Sequence, residues 1–430
     1  NRNNYIFLFL NILLISSTFF RNNLFTLCHL IYTDTFYMKR KWIRWVSWIL
    51  LTPIILFVIL MVLLYVPPVQ NLLRREVTAY ASKATGMQIQ VERIDLRFPL
   101  NLLVRGVEVI QQPDTLLSLE SLNVRVQAWP LIKGKVEVDE VTLSRVAVNS
   151  ANLMEGMKIK GVLGRFFLQS HGVDLSNEIA IINQAELSDT HVQLLMNDTT
   201  TTPKDTTASA PVNWKVDLHQ LKLKNVSFSM QLPVDSMRMA AHIGEAAIDD
   251  AQADLKNQFY GLKKFLLSGT SASYDTGTAQ PIEGFDASHI AVRDVRIALD
   301  SLLYKGRDMN AVIREFTMNE RSGLSVVSLT GRAYSNDSII SVPGLKLKTP
   351  HSEIDLSAHT YWELVNIPTT GRLSANLNAY IGKEDVMLLA GGLPDSFKEA
   401  YPFRPLVIRA GTDGNLKQMQ ISRFTVDLPG

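Results

Sequence analysis

The sequence predicts a mostly β protein: an elongated, curved antiparallel β-groove with one N-terminal transmembrane helix and a short amphipathic helix. Three observations predict this fold. No charged residue occurs between Trp45 and Val66. From Gln88 onward, apolar and polar residues alternate with period two, as in strands that have one apolar face. Superimposed on that alternation, apolar residues recur in steps of two, three, two, three and two.

The composition narrows the class of protein. The chain has 430 residues, of which 43 are Lys or Arg and 41 are Asp or Glu, so its net charge of +2 gives no general attraction to nucleic acid. Its hydrophobic share of 47% excludes a mostly disordered chain. The single cysteine, Cys28, excludes a disulfide framework and an all-cysteine metal cluster.

The two ends of the chain are unusual. Residues 1–37 contain no Lys and one acidic residue, whereas Met38 opens a basic run typical of a true start. We therefore interpret residues 1–37 as a non-native or over-extended N-terminus. The alternative is a real first membrane segment at residues 3–20, which would reverse the topology. At the other end, Gly430 follows a strand-like pattern without a stop signal, so we expect the protein to continue beyond it.

Residues 38–66 are predicted to form a basic cytoplasmic tail and an uncleaved membrane anchor. The uncharged run would be about 33 Å long as a helix, which is enough to cross the hydrocarbon core. The basic residues before it predict an inner-membrane protein that crosses the membrane once, with a cytoplasmic N-terminus and its bulk in the periplasm. We assign the anchor to Trp45, Trp48, Leu56 and Tyr65.

Residues 67–86 are predicted to form the amphipathic helix. Pro67-Pro68 ends the span, apolar residues then recur at helical spacing, and Gly86 is a typical helix stop. Such a helix could lie on the lipid surface. It could equally cap the apolar face of the domain that follows it.

Residues 87–430 are predicted to form the periplasmic β-groove, interrupted by a Thr-rich loop at 197–211. In a continuous strand a step of three would turn the next apolar side chain to the opposite face. Bulges at Asp139-Glu140, Ser144-Arg145, His219-Gln220 and Lys224-Asn225 would keep all of them on one face. The strongest repeats supply the predicted groove residues Val136, Val138, Val141, Leu143, Val146, Val148, Val216, Leu218, Leu221, Leu223, Val226, Phe228, Ile290, Val292, Val295 and Ile297. The third of these repeats begins earlier, at Phe285 and Ala287.

The sequence lacks the motifs of common catalytic sites. It contains no HExxH, no GxxxxGK[ST], no GxGxxG and no GxSxG, so we expect no enzyme, no cofactor and no metal. His191, His219, His242 and His289 each occupy a polar strand position, for which a solvated face is the simplest interpretation. His351 and His359 near Glu353 and Asp355 could bind a metal, but the same parity also describes a polar outer face.

Three segments carry a resemblance to a known family. They are Val66-Pro67-Pro68-Val69-Gln70-Asn71-Leu72-Leu73, Thr85-Gly86-Met87-Gln88-Ile89-Gln90-Val91-Glu92-Arg93-Ile94 and Leu103-Val104-Arg105-Gly106-Val107-Glu108-Val109. In their order after a single span they resemble the N-terminal part of the AsmA-like family, and most of all its TamB branch, the inner-membrane subunit of the translocation and assembly module. The resemblance rests on pattern rather than on catalytic residues.

The resemblance implies a β-groove that crosses the periplasm, holds lipid acyl chains and serves outer-membrane biogenesis. It also implies an Omp85-type outer-membrane partner, reached through a C-terminal region that this sequence lacks. One hypothesis is that the groove carries phospholipid. A second is that it is an assembly scaffold for outer-membrane β-barrel proteins, and a third is a membrane-anchored β-domain without cargo.

Overall fold

The computed structural model describes residues 65–427, apart from 99, 112–113, 128–136, 155–156, 175–176, 197–212, 283, 390–393 and 416, together with nine positions between 48 and 63. Those nine positions are helical. Residues 1–37, Trp45, Val136 and the Thr-rich segment therefore lie outside the described residues. Within the described residues, no helix reaches the length and hydrophobicity that a membrane crossing requires.

Within the described residues, four helices have both a defined first residue and a defined last residue. They are α1 (Pro67–Thr85), α2 (Trp362–Asn366), α3 (Lys383–Leu389) and α4 (Asp395–Ala400). Helix α1 begins with proline, whose missing N–H is not needed in the first turn, and ends at Gly86 in a left-handed conformation with φ 70°. The predicted start and stop of this helix are therefore confirmed.

Within the part of the chain that the structure describes, eighteen strands form one open, mostly antiparallel sheet. The first nine are β1 (Gln88–Arg97), β2 (Asn101–Gln111), β3 (Asp114–Val126), β4 (Val138–Met154), β5 (Met157–Asp174), β6 (Ile179–Met196), β7 (Lys215–Leu232), β8 (Met237–Asp254) and β9 (Phe259–Asp275). The others are β10 (His289–Lys305), β11 (Asp308–Glu320), β12 (Ser325–Val326), β13 (Ser328–Ser335), β14 (Ile339–Lys348), β15 (Glu353–Tyr361), β16 (Leu373–Ile381), β17 (Leu406–Gly414) and β18 (Met419–Asp427).

Strands that follow one another along the chain pair with one another, with one local exception. The short strand β12 pairs with β11, and β13 also pairs directly with β11. All the pairings are antiparallel except that of β6 with β7, which is parallel from Ile179↔Lys215 onward. The all-antiparallel prediction is therefore wrong at this one place, where the chain between the two strands contains the Thr-rich segment.

The long strands are broken at the predicted steps of three. Arg145 and Asn225 have φ values of 46° and 53°, and Asp189, Asp250 and Asp294 are also left-handed. Such a residue interrupts the alternation, bends the strand and keeps the following apolar side chain on the original face. Asp and Asn tolerate this conformation better than other residues with a Cβ atom, which explains why most of the breaks carry them. The predicted break at Asp139-Glu140 coincides with a register shift between β3 and β4.

The sheet has two different edges. Helix α1 lies along β1, where Gln70 Nε2 donates to the Leu96 carbonyl (2.9 Å) and Arg74 Nη1 donates to the Glu92 carbonyl (2.7 Å). At the other edge, all nine residues of β18 are exposed. One edge is therefore covered by its own chain, and within the described residues the other is bare.

The three short helices accompany the last strands. Helix α2 follows β15 directly, and α3 and α4 lie between β16 and β17. The Phe285 N–H donates to the Leu388 carbonyl (2.8 Å), so α3 contacts the segment that precedes β10. That segment is not part of the strand, so the repeat expected to begin at Phe285 and Ala287 begins in the structure only with β10.

Candidate functional site

One row of directly opposed residues is apolar in every strand that it crosses. Residues that face one another in adjacent strands lie on the same face of the sheet. The row consists of Leu96, Leu102, Val124, Val141, Leu168, Ala185, Leu221, Ile248, Phe265, Leu299, Ile313, Gly331, Leu345, Leu356, Leu377, Ala410 and Phe424. We call it the long row, and we call the face that carries it the apolar face.

The long row crosses all the strands except the two-residue strand β12. Neighbouring strands lie about 4.8 Å apart, so a row of this kind extends over roughly 75 Å when it is measured along the sheet. No charged or hydrogen-bonding side chain interrupts it. The apolar face is therefore continuous from the α1-covered edge to the bare edge at β18.

The predicted groove residues of three separate repeats lie together on this face. Leu143, Leu223 and Ile297 belong to one row, which runs through Phe166, Leu187, Ala246 and Leu267. Val148, Phe228 and Val292 belong to another, through Gly161, Val192, Ala241 and Ala272. Val141 and Leu221 lie in the long row itself.

The remaining predicted residues occupy the same face. Val138 faces Val126, Val146 faces Leu163, Val216 faces Ala253 and Leu218 faces Ala251. Val226 faces Ile243, Ile290 faces Tyr274 and Val295 faces Thr270. Val136 lies outside the described residues. Trp48, Leu56 and Tyr65 of the predicted anchor are described, and Trp48 and Leu56 are exposed helical residues.

The apolar face has no second layer over it within the described residues. The strands make their extensive contacts with their neighbours in the sheet. Among the described residues, no large side chain is completely buried. Leu221 and Leu223 are half-buried, and Phe228 is 40% exposed. A surface of this kind leaves hydrocarbon partly in contact with water, which is unfavourable unless another apolar molecule covers it.

Sequence reasoning predicted strands here but missed the copies of the repeat on β8 and β9. Ala241, Ile243, Ala246, Ile248, Ala251 and Ala253 of β8 have the same steps of two and three. Alanine is a weaker signal of an apolar face than Val or Leu, which is why this copy was overlooked. On β9, the copy runs through Leu262, Phe265 and Leu267. Two lysines fill its first gap, but the second gap holds the apolar Leu266, which blurs the alternation.

Polar side chains form cross-strand ladders at the strand breaks. Asn225 Nδ2 donates to Asp189 Oδ1 (2.7 Å), and Asn319 Nδ2 donates to Asp294 Oδ2 (3.3 Å). At another break, Asp250 lies 3.1 Å from His219 Nδ1 and 3.2 Å from Lys263 Nζ. The hydrogen bond with His219 and then the Lys263 ammonium hold the Asp250 pKa below its ordinary value. These groups are exposed or half-buried, and each makes a polar contact across the strands.

One histidine contradicts the expectation of a solvated strand face. His289 is only 7% exposed, and its Nδ1 lies 2.9 Å from Asp286 Oδ2. The Ser288 N–H, above all, donates to Asp286 and lowers the pKa of that carboxyl. His191, His219 and His242 are exposed, as expected. The pair of Asp286 and His289 joins the segment before β10 to the strand and thereby fixes a turn.

The predicted polar face of β15 is also in place. Asp355 lies 3.9 Å from Lys346 Nζ of the neighbouring strand, and His351 lies 3.6 Å from Glu384 of α3. His359 instead contacts the Tyr361 ring edge-on. Among the described residues, no group of three or more His, Cys, Asp or Glu side chains is arranged to hold a metal ion.

No protein-family model matches the chain, and no curated protein matches it.

Proposed function

We propose that this chain is a membrane-anchored periplasmic protein that carries phospholipid along its apolar face. The continuity of the long row across the sheet is the observation that carries the proposal. Each methylene that an acyl chain buries on such a surface contributes about 0.8 kcal/mol, whichever strand it lies on. A lipid could therefore move from strand to strand without crossing a polar barrier, while its headgroup stayed in water.

The apolar helical positions before α1 support a membrane location. Leu51, Leu56, Val58 and Val62 are all exposed, and together with the uncharged sequence around them they are typical of a segment that contacts lipid. In the proposal, this segment is the single inner-membrane span, the N-terminus is cytoplasmic and the sheet is periplasmic. The proposal also retains the resemblance to the AsmA-like family and the role in outer-membrane biogenesis.

The curvature of the groove belongs to the proposal as well. The breaks at Arg145 on β4, Asp189 on β6 and Asn225 on β7 lie in one line across the sheet, with Gly164 of β5 between the first two, since the residues that flank these positions are paired. Aligned bends crease a sheet along one line. A sheet creased toward its apolar face would shield a lipid chain better than a flat one.

A second candidate function is favoured by the bare edge. A fully exposed strand presents unpaired N–H and C=O groups, to which another β-strand can add. In this alternative, β18 or the apolar face holds segments of outer-membrane β-barrel proteins, in concert with an Omp85-type partner. The exposed apolar side chains Ile421 and Phe424 would then contact protein rather than lipid.

Site-specific photo-crosslinking in cells distinguishes the two functions. A photoreactive amino acid at position 223, on the half-buried apolar face, should capture phospholipid that mass spectrometry identifies. The same probe at position 222 is the matched control, because Lys222 is exposed and is the next residue along the strand. Protein adducts at positions 223 and 421 would favour the scaffold. Equal lipid capture at 222 and 223, or none at 223 in a folded protein, would exclude the lipid proposal.

A further inference from the structure

Helix α1 contacts the sheet through its polar side. Gln70 and Arg74 donate hydrogen bonds to β1 carbonyls, and Ser82 Oγ accepts one from the Ile89 N–H (3.1 Å). These three residues lie along one side of the helix and satisfy backbone groups at the sheet edge. Hydrogen bonds to the edge strand therefore hold this side of α1 against the sheet.

The apolar stripe of α1 is left exposed. Leu73, Val77 and Tyr80 recur at the spacing of one helix face, and they are 38%, 52% and 75% exposed. This stripe, which we call the outer stripe, lies roughly a quarter turn around the helix from Arg74. Arg75 lies nearly opposite the outer stripe and is also exposed. An amphipathic helix normally turns its apolar side to a core, whereas this one leaves its apolar side exposed beside the sheet edge.

The outer stripe follows directly on the exposed apolar helical segment. Val66 has an extended conformation, with φ −83° and ψ 131°, so the chain changes direction there before α1 begins. Just before that turn, the Tyr65 ring packs edge-on against Phe98, with 6.4 Å between ring centroids. Phe98 lies in the turn between β1 and β2 and is 81% exposed. Tyrosine rings such as that of Tyr65 are enriched at the membrane–water interface.

We propose that α1 lies in the membrane interface, with the outer stripe and Phe98 inserted among the lipid headgroups and the first acyl carbons. The partner is the phospholipid bilayer, because the outer stripe continues an apolar surface that leads into the predicted span. An interfacial helix of this kind buries its apolar side about 5–10 Å into the headgroup boundary. Arg75, on the opposite side, then faces water.

The position of α1 in the membrane interface brings the β1 end of the long row to the bilayer surface. Leu96, the first residue of that row, lies on β1, and its carbonyl accepts the Gln70 hydrogen bond from α1. An interfacial α1 therefore holds the first strand of the apolar face at the bilayer surface, where a lipid can leave the membrane. This step rests on the proposed function, whereas the position of α1 in the interface does not.

Spin-label accessibility measures the depth of α1 directly. In the full chain carrying Cys28→Ser, single substitutions Val77→Cys and Arg75→Cys would be labelled with a nitroxide in phosphatidylethanolamine–phosphatidylglycerol vesicles. We expect the label at 77 to relax more with oxygen than with a water-soluble nickel chelate, and the label at 75 to show the reverse. Both side chains are exposed, so neither substitution removes packing within the sheet.

A second pair of cysteine substitutions, each replacing an exposed phenylalanine, tests whether the apolar character of the replaced residue alone explains the result. Phe98→Cys should follow the position 77 pattern, and Phe403→Cys should follow the position 75 pattern. Phe403 is 90% exposed but contacts Lys383 at the other end of the chain. A label at 77 that is as accessible to the nickel chelate as the label at 75 would overturn the interfacial placement. Lipid capture at position 223 is read separately, so a failure of one proposal is distinguishable from a failure of the other.

Discussion

The sheet has a wide region and a narrow region that share one apolar row. The wide region comprises β4 to β10, whose strands are 17 or 18 residues long. The narrow region comprises β13 to β18, whose strands have 8 to 10 residues. On β7 the apolar face holds six predicted groove residues, whereas on β15 only Ile354, Leu356 and Ala358 are apolar on that face.

The two regions also differ in how their strands are built. Left-handed non-glycine residues break β4, β6, β7, β8 and β10, whereas the described strands of the narrow region contain none. The narrow region instead carries α2, α3 and α4 between its strands. Strand length therefore sets the width of the apolar face, and the breaks are what allow a long strand to keep one apolar side.

The largest expected effect contrasts a charge in each region. Leu356→Glu and Leu221→Glu both place a carboxylate in the long row. Only in the wide region do further apolar rows run beside the long row, so that a lipid could pass the charge there. An uncompensated charge against hydrocarbon costs several kcal/mol. We therefore expect Leu356→Glu to lower lipid capture by a photo-crosslinker at position 424 by about tenfold or more, since tenfold needs only about 1.4 kcal/mol. Leu221→Glu should cause a much smaller loss.

The matched control for that comparison is Ser357→Glu, which adds the same charge next to Leu356 but on the opposite face. It should leave lipid capture unchanged. Protease resistance of each variant shows whether the sheet is still folded. Equal losses from the two Leu→Glu variants would mean that width does not matter for passage.

A smaller effect concerns the strand breaks. Asn225→Val puts a β-branched residue at φ 53° and should destabilise the fold by about 1–2 kcal/mol, because the left-handed conformation crowds Cβ. Asn225→Gly removes the same hydrogen bond to Asp189 without that strain. Urea unfolding, followed by intrinsic fluorescence, should therefore rank Gly above Val.

In the narrow region the same change should be nearly silent. Asn378 is exposed on the continuous strand β16, so Asn378→Val should alter stability by less than about 0.5 kcal/mol. If Asn225→Val lowered the stability no more than Asn378→Val, the left-handed conformation at the breaks would not restrict which residue can stand there.

The smallest effect tests the turn that leads into β10, the last strand of the wide region. Hydrogen bonds hold the Asp286 pKa below its ordinary value of 3.8, so its stabilising contribution is present above that value. It is lost as pH falls through the lower, folded-state pKa. The stability difference between the wild type and Asp286→Asn should therefore shrink on acidification below about pH 4. A difference that stayed constant down to pH 2 in unfolding curves would contradict this role.

Much of this architecture could be predicted from local patterns. The steps of three predicted where Arg145 and Asn225 would break their strands, since only a break reconciles those spacings with one apolar face. The rows themselves followed from the same rule. The local pattern shows on which face of its strand each residue lies. Cross-strand pairing in the sheet then aligns the apolar residues of neighbouring strands into rows.

Other features depend on distant contacts and were not predictable. Trp362 and Leu364 alternate as in a strand, yet they lie in α2, where Trp362 Nε1 donates to the Asn336 carbonyl (2.6 Å). Arg307 also lies over the Trp362 ring. Nor does a period-two pattern show whether β7 is parallel or antiparallel to β6, because both pairings align the same apolar residues. His289 looked solvated because its partner Asp286 lies outside the strand.

The parallel pair divides the sheet into two stacks of hairpins. Each residue pair between β6 and β7 joins positions 36 residues apart in the chain, whereas the tight hairpin at Lys305↔Asp308 joins positions three apart. Loop-closure entropy grows with the logarithm of that separation, so this closure costs about 2 kcal/mol more than a tight hairpin. Most strands within β1–β6 and within β7–β18 can therefore pair by local, low-contact-order steps. Among the described strand pairs, β6 and β7 require the longest closure, ahead of β16 and β17, whose nearest pair, Ile381↔Leu406, joins positions 25 residues apart.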